Sequence, residues 1–169
     1  GLMGSLLVGF TFGKTLAWAT KKPFIAVNHM LGHLYAAQLQ KPVEYPFLGL
    51  LVSGGHTIIC KVNGFDDLEV LGTTVDDSVG EAFDKVARVI GLTYPGGPKI
   101  DKLAQQGKAT IDFPKTHFEN LDFSFSGIKT AVINLHHKNP DVNQADLCMS
   151  FEKAVTEVLV ENIKKAVVQ

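Results

Sequence analysis

The sequence predicts a fold of mixed strands and helices, of the α/β or α+β class. Three short apolar runs with the pattern of strands lie between residues 46 and 75, whereas helical periodicity dominates before and after them. The chain shows no internal repeat, and 46% of its 169 residues are apolar. We therefore expect one domain or two small lobes with a sizeable buried core.

The start of the chain predicts two helices joined by a short strand. Residues 2–20 have apolar side chains at helical spacing, Phe24–Val27 reads as a short buried strand, and residues 29–39 predict a second helix. The loop "LQKPVEYP" follows. It predicts a boundary between the end of a first lobe, 1–43, and a second lobe, 44–169.

The second lobe is expected to begin with a small sheet and a capped helix. Two apolar runs around Ser53-Gly54-Gly55 predict a hairpin, and residues 68–75 predict a third strand. A helix over 78–90 has a marked start, because Ser78 and Glu81 have the spacing of a capping box.

Three further helices are expected toward the end of the chain, after the glycine that stops the 78–90 helix. The first opens at "YPGGPK", and the second has Ser126 as its cap candidate. The third, at about 143–169, is amphipathic. Its apolar residues share one face: Leu147, Phe151, Val155, Val158, Leu159, Ile163 and Ala166.

The bulk composition excludes several classes of protein. A formal charge of −1 shows no basic excess, so a nucleic-acid partner has to be held by a local patch or by another subunit. Cys60 and Cys148 form no CxxC pattern, which fits the cytoplasm rather than a disulfide scaffold. The apolar run at the N-terminus stops at Lys14, too short for a membrane span. Both ends run straight into helix-like sequence, so we expect an internal piece of a longer protein.

His29 and His33 are the first candidate site. On a helix, residues four apart point the same way about one turn apart, so two imidazoles can bind one metal ion. The alternative is a pair of half-buried histidines that bond to backbone. Met30 stands where the H-E-x-x-H motif of zinc proteases carries its catalytic Glu, which argues against that activity.

Glycine-rich turns and one carboxylate form the other candidates. The turn Ser53–Gly55, followed by His56, lets backbone amides approach a phosphate, and the alternative is a plain hairpin turn. Asp84 lies off the core face of its predicted helix. It can contact a ligand such as a ribose hydroxyl, and the alternative is a solvated carboxylate. Gly96-Gly97 before a helix suits an anion or a tight loop, and the segment 124–129 suits an anion or is simply a capped helix start. Their order suggests a nucleotide held between two lobes, as in actin-like or sugar-kinase-like ATPases.

Four blocks of the chain together resemble the successive sequence blocks of the TsaD family in its bacterial form. They are "NHMLGHLYA", "LLVSGGHT", "DDSVGEAFDKVARVIGLTYPGGP" and "LDFSFSGIKTAV", and the likeness runs over essentially all 169 residues. The resemblance implies a two-lobed fold like that of actin, Hsp70 and sugar kinases. It also implies transfer of a threonylcarbamoyl group from threonylcarbamoyl-AMP to the N6 amine of adenosine 37, beside the anticodon of tRNAs that read codons beginning with A.

The resemblance also implies roles for particular residues. His29 and His33 would bind a metal, iron or in some members zinc, with a third ligand, an Asp, outside this chain. The adenylate, or ATP or ADP in its place, would be bound by seven residues: Leu51, Val52, Ser53, Gly54, Gly55, Asp84 and Gly97. No catalytic residue is assigned, and His56 is the candidate because its position lies beside the reacting group.

Partners and departures complete what the resemblance implies. The family works with tRNA, a paralogous dimer-partner subunit and a small ATPase subunit, with no membrane. This chain has Leu31 where many members carry Glu, and the third metal ligand and an Asn contact to the nucleotide are not in it. We therefore expect the piece alone to be inactive. Two other functions stay open on the sequence, a metalloprotease and a non-catalytic nucleotide-binding scaffold.

Overall fold

The computed structural model describes residues 3–168, and the chain divides into two compact units. Unit 1 is Gly1–Tyr45 and unit 2 is Pro46–Gln169. Both strands and helices are present, which confirms the mixed fold class, and the sheet is small and antiparallel.

Unit 1 contains two helices close to the expected bounds. Helix α1 spans Met3–Ala19, and α2 spans His29–Ala36, which a 3-10 turn at Ala37–Leu39 extends. Leu2, expected in the first helix, lies outside the described residues. No side chain between residues 3 and 45 is fully buried. Within residues 3–168, no helix has the length and apolar character needed to cross a membrane.

The prediction of a buried strand at Phe24–Val27 is wrong. These residues form no strand, and Ile25 and Val27 are 83% and 75% exposed. Phe24 packs edge-on against Phe10 of α1, with 5.4 Å between ring centroids. A strand needs a neighbour to satisfy its backbone N–H and C=O groups, and the described part of unit 1 supplies none.

Unit 2 begins with a three-stranded antiparallel meander in the order β1-β2-β3. The strands are β1 (Phe47–Val52), β2 (Thr57–Gly64) and β3 (Asp67–Thr73). Val52 pairs with Thr57 across the Ser53–Gly55 turn, so the expected hairpin is confirmed. The third strand is also confirmed, although it ends two residues earlier than predicted.

The described part of unit 2 continues with helices that pack over one core. They are α3 (Val79–Val89), α4 (Gly96–Ala104), α5 (Ser126–Lys138) and α6 (Gln144–Val168). The expected apolar face of α6 is confirmed: Leu147, Phe151, Val155, Val158 and Ala166 are buried, with Leu159 and Ile163 partly so. Phe151 meets Phe83 of α3 at 4.7 Å between ring centroids, which joins the two helices in the core.

The start of α3 uses half of the predicted capping box. The Ser78 hydroxyl accepts a hydrogen bond from the Glu81 amide at 3.2 Å, as expected. The Glu81 carboxylate does not return the bond to Ser78, because it pairs with Lys85 one turn further on, at 2.8 Å. At the other end, Gly91 has a φ of 82°, the left-handed conformation that favours glycine at a helix stop.

Ser126 is not the cap of α5, contrary to the sequence-based expectation. It is the first helical residue, and the cap position is taken by Phe125, whose side chain has no acceptor. Asp76, 50 positions earlier, supplies the cap instead. Its Oδ1 accepts from the amides of Phe125 (2.9 Å) and Ser126 (3.3 Å), and its Oδ2 accepts from the Ser124 hydroxyl at 2.5 Å.

Asp77 links α3 to α5 through two lysines. Its carboxylate lies 2.6 Å from Nζ of Lys85 on α3 and 2.6 Å from Nζ of Lys129 on α5. Burial alone would raise the pKa of Asp77, but the hydrogen bonds and charges of Lys129 and Lys85 outweigh it and lower the pKa. The folded-state pKa is below the unfolded value, so this network stabilises the fold at neutral pH. That contribution is lost as pH falls through the folded pKa.

Replacing Asp76 by Ala should lower the free energy of unfolding by about 1–2 kcal/mol, because it removes the cap of α5. Asp76→Asn should lower it much less, because the amide oxygen still accepts from the two backbone N–H groups. Urea denaturation of the intact protein measures both variants. Equal losses for Ala and Asn would contradict the assignment of Asp76 as a cap.

Candidate functional site

The two histidines of unit 1 lie side by side on α2. His29 and His33 have their Nε2 atoms 3.1 Å apart and their rings edge to face. Two nitrogens at ~2.0–2.1 Å from one ion lie about 3.0 Å apart at adjacent octahedral positions and about 3.4 Å apart at tetrahedral ones. The observed separation fits two ligands of a single ion, and it also fits a hydrogen bond between the two rings.

The local sequence fixes this pair at the start of a short helix. The Asn28 side chain accepts from the amides of Met30 (2.9 Å) and Leu31 (3.4 Å), which caps α2 at His29. Desolvation is the main cause that lowers the pKa of His29, and the lower pKa favours the neutral imidazole that binds metals. Within residues 3–168 no group of three or more His, Cys, Asp or Glu side chains is placed to hold a metal.

In unit 2, the Ser53–Gly55 turn is closed by its own polar groups. The Ser53 hydroxyl accepts from the amides of Gly55 (3.4 Å) and His56 (3.0 Å), and the Ser53 amide donates to the His56 carbonyl at 2.9 Å. Leu51 and Val52 lead into this turn from the end of β1. His56 thus shapes the turn through its backbone, while its half-buried side chain follows directly after the glycines.

The first turn of α3 holds the Ser53–Gly55 turn against it. The Gly80 amide donates to the Ser53 carbonyl at 3.2 Å, and the Ser78 hydroxyl donates to the Gly54 carbonyl at 3.1 Å. A Cβ at Gly80 would lie only 2.6 Å from the Gly54 Cα, so only glycine permits this approach. The buried Thr57 hydroxyl accepts from the Val79 amide at 2.9 Å and completes the joint.

Asp84 fixes the start of α4 one turn further along α3. Its Oδ1 accepts from the Gly96 amide at 2.7 Å, and a Cβ at Gly96 would lie 2.8 Å from the Asp84 Cα. One oxygen of the Asp84 carboxylate is therefore used by the backbone at the start of α4. Within residues 3–168, the hydrogen bond that Asp84 accepts from Gly96 uses Oδ1 and not Oδ2.

The seven residues expected at the adenylate all belong to unit 2, and the structure brings their loops together on α3. Gly80 contacts the Ser53–Gly55 turn, and Asp84, on the next turn of the helix, contacts the loop that contains Gly97. Residues four apart on a helix lie about 5–6 Å apart, so Gly80 and Asp84 are neighbours on α3. Nothing lies within 4 Å of where a Cβ at Gly54 or Gly97 would be, so both face open space.

The anion site considered at residues 124–129 is occupied by the protein itself. Ser124 donates to Asp76, and Lys129 pairs with Asp77. Sequence reasoning missed Gly80 and Thr57 as positioning residues. The spacing Gly80 to Asp84 was visible in the sequence, but the partner of Gly80 across 26 positions was not.

Replacing Gly80 by Ala should weaken binding of an adenine nucleotide by about tenfold or more. The new Cβ would push the Ser53–Gly55 backbone away from α3. Isothermal titration of the intact protein with ATP measures the affinity. Gly127→Ala is the matched control, because the nearest atom to a Cβ there is the Thr116 hydroxyl oxygen at an ordinary 3.7 Å. Unchanged affinity in Gly80→Ala would contradict the proposed joint.

Comparison with known proteins assigns this arrangement to a family. A family model described as "TsaD: tRNA N6-adenosine threonylcarbamoyltransferase" matches residues 1–169. A relative of that name from Treponema denticola is 55% identical over 175 residues, which cover 98% of this chain and 52% of the relative. Another from Streptococcus pneumoniae is 54% identical over 172 residues, which cover 98% of this chain and 51% of the relative. The chain thus spans about half the length of the curated relatives it matches, and it belongs to the TsaD family.

Proposed function

We propose that the whole protein transfers a threonylcarbamoyl group from threonylcarbamoyl-AMP to tRNA. The acceptor is the N6 amine of adenosine 37, next to the anticodon, in tRNAs that read codons beginning with A. Family membership and the shared name of the relatives support the reaction class. The observation that carries it in the structure is the meeting of two glycine-bearing loops on consecutive turns of α3, a geometry suited to an adenylate.

Different adenylate-binding residues are proposed to contact different parts of the ligand. The amides of Gly54 in the Ser53–Gly55 turn and of Gly97 at the start of α4 suit the phosphate, since both carry partial positive charge. The Ser53 and Gly55 amides are already used within the turn, by the His56 carbonyl and the Ser53 hydroxyl. Oδ2 of Asp84 suits a ribose hydroxyl. Leu51 and Val52 form the end of β1 beside the turn. ATP or ADP would occupy the same site.

His29 and His33 are proposed to hold one divalent metal, iron or zinc, because their Nε2 atoms have the separation of two ligands on one ion. An Asp outside this chain would be the third protein ligand. When bound, the metal supplies Lewis-acid polarisation of the threonylcarbamoyl carbonyl.

The reaction itself is an acyl transfer that depends on positioning. The adenosine N6 forms a bond to the carbamoyl carbon, the bond from that carbon to the AMP phosphate oxygen breaks, and AMP leaves with the electron pair. The amine loses one proton. His56, next to the turn that holds the leaving phosphate, is the candidate acceptor for that proton. Holding the two reactants in line supplies much of the rate.

The surroundings of the site follow from the same proposal. The complete protein would have the two-lobed fold of actin, Hsp70 and sugar kinases, and it would work in the cytoplasm with a paralogous dimer-partner subunit and a small ATPase subunit. Helix α1 exposes several apolar side chains, Leu7, Val8 and Phe12 among them, which other parts of the complete protein would cover.

Replacing His33 by Ala in the intact protein should remove bound metal and lower the transfer rate by about 100-fold or more. Compared with metal-free wild-type protein, the variant should have nearly the same thermal midpoint, because His33 is exposed and surface changes cost within ~0.5 kcal/mol. Elemental analysis, adenylate binding and threonylcarbamoyl transfer to tRNA are measured on the same preparation.

His137→Ala is the matched control for that experiment, because His137 is an exposed histidine at the end of α5. It should keep both metal and activity. Full transfer by His33→Ala protein that contains no metal would contradict the proposed role of the pair.

A further inference from the structure

The near-neutral charge of the chain conceals an uneven distribution between its units. Residues 1–45 carry four lysines and one glutamate, a formal charge of +3, with no acidic residue before Glu44. Residues 46–169 carry 12 Lys or Arg and 16 Asp or Glu, a formal charge of −4. The unit with the histidine pair therefore favours an anionic partner, whereas the other unit does not.

Three of those four lysines surround an exposed tryptophan at the end of α1. Trp18 is 82% exposed, and Lys14 lies one turn before it on the same helix face. Lys21 and Lys22 join Trp18 around a hollow of ≈ 560 Å³. We call Lys14, Trp18, Lys21 and Lys22 the basic end of α1.

At the basic end of α1, Lys21 has a backbone conformation that glycine adopts more easily. The Lys22 amide donates to the Ala17 carbonyl (2.9 Å) and the Lys21 amide to the Trp18 carbonyl (3.2 Å), the bonds of a Schellman motif. Lys21 takes its left-handed position with a φ of 53°, where glycine is the usual residue. A lysine rather than a glycine at this position places a further positive charge beside Trp18.

The composition of this end distinguishes it from the rest of α1. The other exposed side chains of the helix are mostly apolar and can be covered by any apolar surface. Cations are rarely buried unless they are paired, and unit 1 has only Glu44 to pair with them. A flat aromatic ring among lysines is the combination by which proteins bind unpaired bases and the phosphates that join them.

We propose that the basic end of α1 binds the anticodon arm of the substrate tRNA. Trp18 stacks on an unpaired base, and Lys14, Lys21 and Lys22 contact phosphates. This inference rests on the proposed function, since it assigns a docking surface to the tRNA of that reaction.

The position of the surface sets which part of the tRNA it contacts. His29 borders a hollow beside Leu6 and Phe10 in the first half of α1. Trp18 lies 12 residues beyond Leu6, which corresponds to roughly 18 Å along the helix. The basic end of α1 therefore contacts nucleotides some distance from the adenosine that reacts, and it contributes to affinity rather than to chemistry.

The experiment measures binding of unmodified tRNA to the intact protein by fluorescence anisotropy between 50 and 200 mM salt. Trp18→Leu should weaken binding by about tenfold, and Trp18→Phe should restore most of it, because a phenyl ring still stacks. Lys21→Gly should weaken binding about threefold and lower the salt slope by ~0.7, the value for one phosphate contact in a single strand. Lys164→Ala, an exposed lysine of α6, is the control and should change neither.

Lys21→Gly also separates RNA binding from stability. Glycine suits the left-handed position, so the thermal midpoint should stay equal or rise while tRNA binding falls. The inference would be overturned if both Trp18→Leu and Lys21→Gly bound tRNA with wild-type affinity. It would also be overturned if Trp18→Leu lowered the thermal midpoint while Lys21→Gly left tRNA binding unchanged. Transfer assayed on the wild-type protein tests the proposed function separately, because its absence there would not depend on these variants.

Discussion

The candidate adenylate site depends on one close approach of two backbones, at Gly80. The Ser53–Gly55 turn lies so near the first turn of α3 that no Cβ fits between them. The carbonyls of Ser53 and Gly54 accept hydrogen bonds at the start of α3, from the Gly80 amide and the Ser78 hydroxyl. Asp84, one turn later, fixes α4 to the same helix. Helix α3 is therefore the common support of both loops, and the Asp77 ion pairs with Lys85 and Lys129 tie that support to α5.

Local patterns predicted much of the fold, and contacts distant in sequence account for the rest. The hairpin, the stop at Gly91 and the apolar face of α6 follow from turn chemistry and periodicity, which act within a few residues. The cap of α5 does not, because a serine at its start matched the local rule while Asp76 provides the bond from 50 positions away. The strand expected at Phe24–Val27 is absent for the same reason, since a strand depends on a neighbour that periodicity does not show. At the site, the sequence shows which residue types are present but not which hydrogen bonds they make within the protein. The bond from the Gly96 amide to the Asp84 carboxylate is an example.

The two rival functions are weighed by particular residues of unit 1. A zinc protease of the H-E-x-x-H type needs a general base directly after the first histidine, and that position is Met30. A scaffold that only binds nucleotide would need the turn on α3 but has no use for the adjacent pair His29 and His33 on α2. The transferase proposal uses both features. It also gives the basic end of α1 a partner, although that surface is an independent observation.

The central claim is that the histidine pair and the adenylate site serve one reaction on tRNA. The most direct test is nucleoside mass spectrometry of total tRNA from cells whose only copy of the intact gene carries His29→Ala and His33→Ala, with His137→Ala cells as the control. The account predicts that threonylcarbamoyl-adenosine disappears from the double variant and persists in the control, while both proteins accumulate normally. Persistence of the modification in the double variant would contradict it.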